Sequence, residues 1–382
     1  MAHIAHINLG EYPLLLAPME DVSDPPFRVL CKEMGADMVY TEFISADGLI
    51  RLADKSVQKL DVYDEERPVG IQIFGADLES MRISAQIVEQ AQPEILDINY
   101  GCPVNKVACK GAGAGILRDI PKMEALTREI VRATSLPVTV KTRLGWDPGS
   151  IQIREVALRL QDAGISALSI HGRTRVQMYQ GSADWAPIQA VASDPDITIP
   201  IFGNGDVDSP EKALDMRTRY PDVKGIMIGR AAIGNPWIFG QIKHYLATGT
   251  HLPLPTLAER ASVCRRHLLM SVAWKTELPA IREMRRHYAP YFKGIDGFKE
   301  LRVRLVTSED LPEILDVLAY IETEFEPGAR VPASLARAGE RSIHAMAGPV
   351  KSSGTARLKL KLRVPATPDP VVSTTITGTS IF

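Results

Sequence analysis

Residues 97–117 read DINYGCPVNKVACKGAGAGIL, from Asp97 to Leu117, an apolar strand that runs straight into a loop of asparagine, cysteine and glycine residues. The stretch Pro93 to Ile98 has β-branched and apolar positions around Asp97, which places Asn99 and Cys102 just past the C-terminal end of that strand. In a barrel of alternating strands and helices, that position is where catalytic side chains sit. A lone cysteine is more often a small buried apolar residue, so the rest of the chain has to decide.

Working outward, short apolar runs followed by turn signals recur at Leu14 to Ala17, Asp37 to Thr41, Val69 to Phe74, Ile95 to Asn99, Val138 to Thr142, Ala167 to His171, Ile199 to Gly203 and Gly225 to Gly229. Helix-period stretches separate most of them: Pro26 to Met34, Leu78 to Ala91, Met123 to Thr134, Ile151 to Ala163 and Pro210 to Tyr220. Asp77, Asp119 and Ser209 stand where N-caps belong, and Gly35 and Gly164 where helices stop. Regular βα alternation with eight strands predicts an α/β fold, a (β/α)₈ TIM barrel.

Composition agrees with a large core: 382 residues, 45% hydrophobic, leave room beyond the barrel for a second small domain. No apolar run reaches the roughly 20 residues of a membrane span, and the N-terminus lacks a basic region followed by an apolar segment, so no membrane association and a cytoplasmic location are expected. Cys31, Cys102, Cys109 and Cys264 form no CxxC pair, which predicts reduced thiols and no metal. The absence of GxxxxGK[ST], HExxH and GxSxG weakens nucleotide-hydrolase, zinc-protease and serine-hydrolase readings.

Almost every strand ends in something polar. The first gives APMED (Ala17 to Asp21), the third Gln72, the fourth Asn99 and Cys102, the fifth Lys141 and Arg143, the sixth His171 followed by Arg173, the seventh GNGD (Gly203 to Asp206) and the eighth Arg230. Polar strand ends facing water explain two or three of these but not the ordered series. GNGDV and GRAAIGNP offer glycine backbone beside the charge of Arg230, a pattern suited to a phosphate. KGAGAG (Lys110 to Gly115) is no dinucleotide fingerprint, because Ile116 replaces the third glycine; a flexible flap over the site is the expectation.

APMEDVSDPPFR, QIFG, DINYGCPVNKVACKGAGAGIL, VTVKTRLGW, IHGRTRVQMYQGSADW, IFGNGDV and IMIGRAAIGNPWIF together resemble the tRNA-dihydrouridine synthase family, in particular its DusB-like branch, over roughly residues 12 to 325. The resemblance implies an FMN enzyme that reduces the 5,6 double bond of particular tRNA uridines with NADPH as reductant. Pro18, Met19 and Gln72 would then cradle the isoalloxazine, with Glu20 contacting it through backbone, Lys141 near its pyrimidine edge and His171 close by. Asn204, Gly205, Asp206, Gly229 and Arg230 would hold the phosphate end. Cys102 matches the catalytic cysteine, and Asn99, Arg143 and Tyr179 match positions that meet the target uracil. Hydride from flavin N5 to C6 leaves charge at C5 and O4, and Cys102 supplies the proton to C5.

A uridine in folded RNA must be extruded to reach such a site, so a second surface is expected to grip the tRNA. THLPLP (Thr250 to Pro255) reads as a linker, and from Arg260 to Arg304 there are eleven Lys or Arg against four Asp or Glu in a chain of net charge −2. Arg282, Arg285 and Arg286, interleaved with His287, Tyr288, Tyr291 and Phe292, are the expected RNA contacts. The expected division is 1–249 for an FMN-binding barrel, 250–327 for a helical tRNA-binding domain and 328–382 for a disordered basic tail; Arg357 to Val364 alternates as a strand would, as the weaker reading of that tail. A monomer is expected. The alternative function is a small-molecule flavin oxidoreductase of the dihydroorotate or dihydropyrimidine dehydrogenase type, which would have no use for the basic segment; a noncatalytic RNA-binding barrel is a third.

Overall fold

The structure is a computed structural model that describes residues 1–328 and Val364. Eight strands carry the fold: β1 (Leu14–Leu16), β2 (Val39–Tyr40), β3 (Val69–Phe74), β4 (Ile95–Tyr100), β5 (Val138–Arg143), β6 (Ala167–His171), β7 (Ile201–Asn204) and β8 (Gly225–Ile228). Each is parallel to its neighbours from β2 through β8, and β1 pairs with β8 in the register Leu14↔Ile226 and Leu16↔Ile228. The ring closes between β1 and β2, where the Leu16 N–H donates to Met38 O at 2.9 Å and the Asp37 N–H to Leu14 O at 2.8 Å. The expected (β/α)₈ barrel is the observed fold.

Local signals set the helices. Asp77, Asp119 and Ser209 accept from the backbone N–H groups of Ser80, Lys122 and Lys212, as N-caps do, and Gly35 and Gly164 follow helix ends at φ 108° and 101°. The third helix begins at Ile120 rather than Met123, because Pro121 is tolerated in a first turn. Five helices of the barrel region escaped the periodicity, Ala46–Ile50, Asp54–Gln58, Asn105–Ala108, Ala186–Ala192 and Ile238–Thr248; the first four span only 4 to 7 residues, too short for the pattern to declare itself.

Inside the barrel the side chains change character along the axis. Ile95, Ala167, Phe202, Met227, Leu15, Met38 and Tyr40 form an apolar floor, plugged from below by Ile4 of the hairpin His3–Ile4/Ile7–Asn8. Above it, alternation brings Gln72, Asp97 and Thr139 to one level, paired across neighbouring strands, and Asn99, Lys141 and Ser169 to the next. The chain is therefore oily at one end of the barrel and polar at the other.

Beyond the irregular stretch at Thr250–Pro255, four helices, Leu257–Lys275, Glu277–Tyr291, Lys299–Thr307 and Leu311–Thr323, pack on a core of their own that includes Cys264, Leu268, Met284, Leu305 and Leu318. They are held to the barrel at helix Pro25–Glu33, where Phe27 stacks on His267 with ring centroids 5.4 Å apart, and Lys275 pairs with Asp24 at 2.7 Å. His287, Tyr288, Tyr291 and Phe292 are buried here, so the expected interleaving of aromatics with cations on an RNA-facing surface is corrected: the rings build the core. The same 3.6 periodicity that spaces the arginines outward turns these rings inward. The tail expectations, disorder and the strand-like Arg357 to Val364, fall outside the described residues except for Val364 itself.

Candidate active site

At the C-terminal end of the barrel the strand ends surround a cleft of about 670 Å³, within the size range of small-ligand sites. Pro18, Met19, Glu20, Asn99, Cys102, Lys141, Arg143, His171, Tyr179, Asn204, Gly205, Asp206, Gly229 and Arg230 all line it. Four of the expected site residues do not. Gln72 lies beneath Asn99 with no exposed surface, and Arg282, Arg285 and Arg286 stand outside the cleft in ion pairs, the first two with Glu309 and the third with Asp21.

The Cys102 loop is fixed by its own backbone. The N–H groups of Gly101 and Cys102 donate to Asn99 Oδ1 at 3.0 and 2.8 Å, and Arg143 Nε donates to Gly101 O at 2.8 Å. Behind it, residues Gly113–Arg118 form a buried 3₁₀ turn in which the Ala114 N–H donates to Cys102 O at 3.0 Å. A Cβ on Gly115 would overlap the carbonyl oxygen of Ala108. Gly113 and Gly115 of KGAGAG thus permit close packing against Cys102 and Ala108, where a flap over the site was expected.

Burial pushes the Cys102 thiol above its ordinary range, against the Val104 N–H and the charges of Arg143 and Lys141, so the thiol holds its proton at neutral pH. Burial likewise lowers Lys141 to about 8, helped by neighbouring Arg143 and opposed by Asp97. His171 is driven far down, by burial first and then by the cations Lys141, Arg143, Arg173 and Arg230, and is neutral. Its Nε2 lies 3.3 Å from Arg173 Nη1, which can only donate, so the ring proton belongs on Nδ1.

Arg173, two residues after His171 and given no role by the sequence reading, organises the loops around Asp206. It is 2% exposed, donates to Gln180 O at 3.1 Å and reaches Asp206 at 2.6 Å through Nη2. Against the upward push of partial burial, that bond and the charges of Arg173 and Arg230 hold the Asp206 carboxyl below its usual range. Gly205 (φ 125°) and Asp206 (φ 56°) turn the backbone here, and a Cβ on Gly205 would stand 2.6 Å from Ala183 Cβ, which excludes any other residue. Arg230 lies 4.9 Å from the Tyr179 ring and Arg143 5.7 Å, so Tyr179 sits between two cations at the mouth.

The loop after β1 is clamped from both sides. Glu42, 5% exposed, accepts from the Asp21 N–H at 2.7 Å; Lys59 pairs with Glu20 at 2.6 Å and Glu42 at 3.4 Å; Arg286 donates to Asp21 O at 2.8 Å. Carboxylate oxygens of Glu20, Asp21 and Glu42 lie within 4.8 Å of one another, but these two cations already engage them.

Against known proteins, a model of the dihydrouridine synthase (Dus) family matches residues 15–325. The chain belongs to the dihydrouridine synthase family. It is 40% identical over 309 residues to tRNA-dihydrouridine synthase B of Pseudomonas putida, covering 80% of this chain and 90% of that one. The protein of the same description from Escherichia coli K12 is 36% identical over 321 residues, covering 83% and 99%, and probable tRNA-dihydrouridine synthase 1 of Synechocystis is 38% identical over 306, covering 80% and 85%. As a family member the chain is a flavin-dependent oxidoreductase of tRNA, and the small-molecule alternative is not favoured. Among the described residues no helix is long and apolar enough to cross a membrane.

The residues present fit a phosphorylated flavin. Arg230 reaches Asp206 at the tight turn Gly205–Asp206, and these residues with Gly229 line the same cleft as Lys141, His171 and Met19. If the Lys141 ammonium helps hold that anionic ligand, flavin affinity measured by fluorescence should fall about tenfold between pH 7 and pH 9 as the lysine loses its proton near 8. Lys141→Arg should flatten that dependence. A flat profile in the unaltered protein would remove Lys141 from the flavin contact.

Proposed function

We propose that the cleft holds FMN, with Asn204, Gly205, Asp206, Gly229 and Arg230 at its phosphate end and Pro18, Met19, Glu20, Lys141 and His171 at its ring, and that it reduces the 5,6 double bond of an extruded tRNA uridine. NADPH is the proposed reductant. The observation that carries this reading is the meeting, in one cleft, of a phosphate-suited wall with a protonated thiol and the donors of Asn99, Lys141 and Arg143. Bound there, the reduced flavin supplies a hydride for C6 of the uracil.

The chain's own residues then have distinct tasks. Cys102 Sγ holds the proton that C5 needs, and a thiol kept protonated by burial is ready at neutral pH. Arg143, whose guanidinium burial lowers only to about 10, stays charged and offers a donor where negative charge develops on the base. Tyr179, half exposed between Arg143 and Arg230, is placed to meet the base at the mouth. Neutral His171 adds no charge to a floor already lined by cations.

We further divide the chain into a catalytic barrel, 1–249, a helical tRNA-gripping domain, 250–327, and a basic tail, 328–382, in a cytoplasmic monomer. Two contacts support a joint role for the first two parts: Arg286 grips the β1 loop whose Glu20 lines the cleft, and Gly234 in the β8 loop lets that loop lie against helix Glu277–Tyr291, where a Cβ would stand 2.5 Å from His287 O. Arg282, Arg285 and Arg286 would exchange their carboxylate partners for tRNA phosphates.

Cys102→Ala should keep flavin and its reduction by NADPH yet form dihydrouridine in tRNA at least a hundredfold more slowly, read by mass spectrometry of digested tRNA. Near-normal turnover would take the proton from Cys102. For the grip, Arg282→Ala/Arg285→Ala/Arg286→Ala should flatten the slope of log affinity against log salt by about two, since each phosphate contact contributes roughly 0.7 to 0.9. A matching change at Lys293, Lys299 and Arg302, exposed cations without an ion pair among the described residues, is the comparison. A loss confined to that second variant would move the grip to Lys293, Lys299 and Arg302.

A further inference from the structure

Four polar side chains inside the barrel form a hydrogen-bonded line that ends at the Cys102 loop. Thr139 Oγ1 donates to Asp97 Oδ1 at 2.5 Å and Gln72 Nε2 to Asp97 Oδ2 at 2.6 Å. Asn99 Nδ2 donates to Gln72 Oε1 at 2.9 Å, and Asn99 Oδ1 takes the Gly101 and Cys102 N–H groups. Thr139, Asp97, Gln72 and Asn99 are 3%, 1%, 0% and 6% exposed, so the line is shielded from bulk water except where Asn99 meets the cleft.

The line has a direction, and Asp97 imposes it. A carboxylate can only accept, so Gln72 must turn its N–H₂ toward Asp97 and its carbonyl toward Asn99. Asn99 must then turn its N–H₂ toward Gln72 and its carbonyl toward the loop. Of its two N–H groups one is spent on Gln72, and the other has no acceptor among the described residues, while the side chain lines the cleft. An amide free to flip would offer either a donor or an acceptor there.

We propose that Asp97, acting through Gln72, is a positioning residue that fixes the amide of Asn99 so that it offers a hydrogen-bond donor, selecting a base carbonyl oxygen over an amino group, while its other end holds the Cys102 loop. This rests on the cleft being the uridine-reducing site. Gln72, which the family resemblance places against the flavin, is also the middle link of this line. Burial raises the Asp97 carboxyl to about 6, against the pull of Thr139, Gln72 and Lys141, which leaves it largely ionised and accepting at neutral pH.

Reversing the line tests the idea without changing its shape. Asn99→Asp alone sets an acceptor against Gln72 Oε1, and should lower the melting temperature by several degrees and cut tRNA turnover. Adding Asp97→Asn lets the middle amide flip: Asn at 97 donates to Gln72, Gln72 donates to Asp at 99, and the loop N–H groups keep their acceptor. The double variant should recover most of the stability lost by Asn99→Asp, the signature of a coupled pair. Its dihydrouridine formation per bound flavin should stay about tenfold or more below that of the unaltered protein, because the donor toward the base is gone.

Additive losses of stability in the two single variants and the double would break the line as drawn. Recovery of turnover together with stability would mean that the second Asn99 N–H does no work on the base. If the unaltered protein forms no dihydrouridine in tRNA, the uridine reading fails, and the stability cycle still reports on the line by itself.

Discussion

A barrel interior excludes water, so each polar side chain placed inside must be satisfied by another, and this constraint orders the whole structure along one axis. At the floor there is nothing polar to satisfy: Leu15, Phe202 and Met227 close it against Ile4 of the N-terminal hairpin. In the middle, Thr139, Asp97, Gln72 and Asn99 satisfy one another in a single line. At the top, Lys141, Arg143, Arg173 and Arg230 crowd round Cys102 and His171, and two of these arginines share Asp206. Partly satisfied, such a line would cost more than an apolar core; fully satisfied, it specifies one arrangement.

The helical region enters this order from outside. It reaches the cleft's loops without lining the cleft, by Arg286 on the β1 loop and by close packing at Gly234 in the β8 loop. Buried Lys275 with Asp24, and the Phe27–His267 stack, hold the same helices to the barrel at Pro25–Glu33. A load on these helices would therefore act on the loops after the neighbouring strands β1 and β8, both of which line the cleft, with Glu42 and Lys59 holding the first of them on the barrel side.

The fold was legible because its signals are local and repeated. All eight strands stand where the apolar runs put them, and Val69–Phe74 and Ala167–His171 coincide with them to the residue. Most of the cleft was legible too, since a barrel brings successive strand ends together whatever the details of packing. What the sequence hid depends on contacts between distant segments. Nothing near Gln72 says that Asn99, 27 residues on, needs its carbonyl. Nothing near Arg286 marks Asp21 as its partner across 265 residues, and basic spacing alone could not tell an ion-paired arginine from an open one. Tyr288 and Tyr291 face inward because four helices share one core, a fact no single helix carries. KGAGAG looked mobile because glycine permits motion; here it permits Ala108 and Cys102 to approach instead.

The central claim is that this cleft passes reducing equivalents from a bound flavin to a uridine of tRNA. Its most direct measurement is a single anaerobic turnover, in which enzyme with its flavin already reduced meets tRNA transcript that carries no modifications, with flavin absorbance followed in time and the RNA digested afterwards. The account predicts one flavin reoxidised for each uridine that gains two hydrogens, and no comparable reoxidation with the isolated nucleotide. Flavin that stays reduced in the presence of tRNA, or reoxidises without any dihydrouridine, would contradict it.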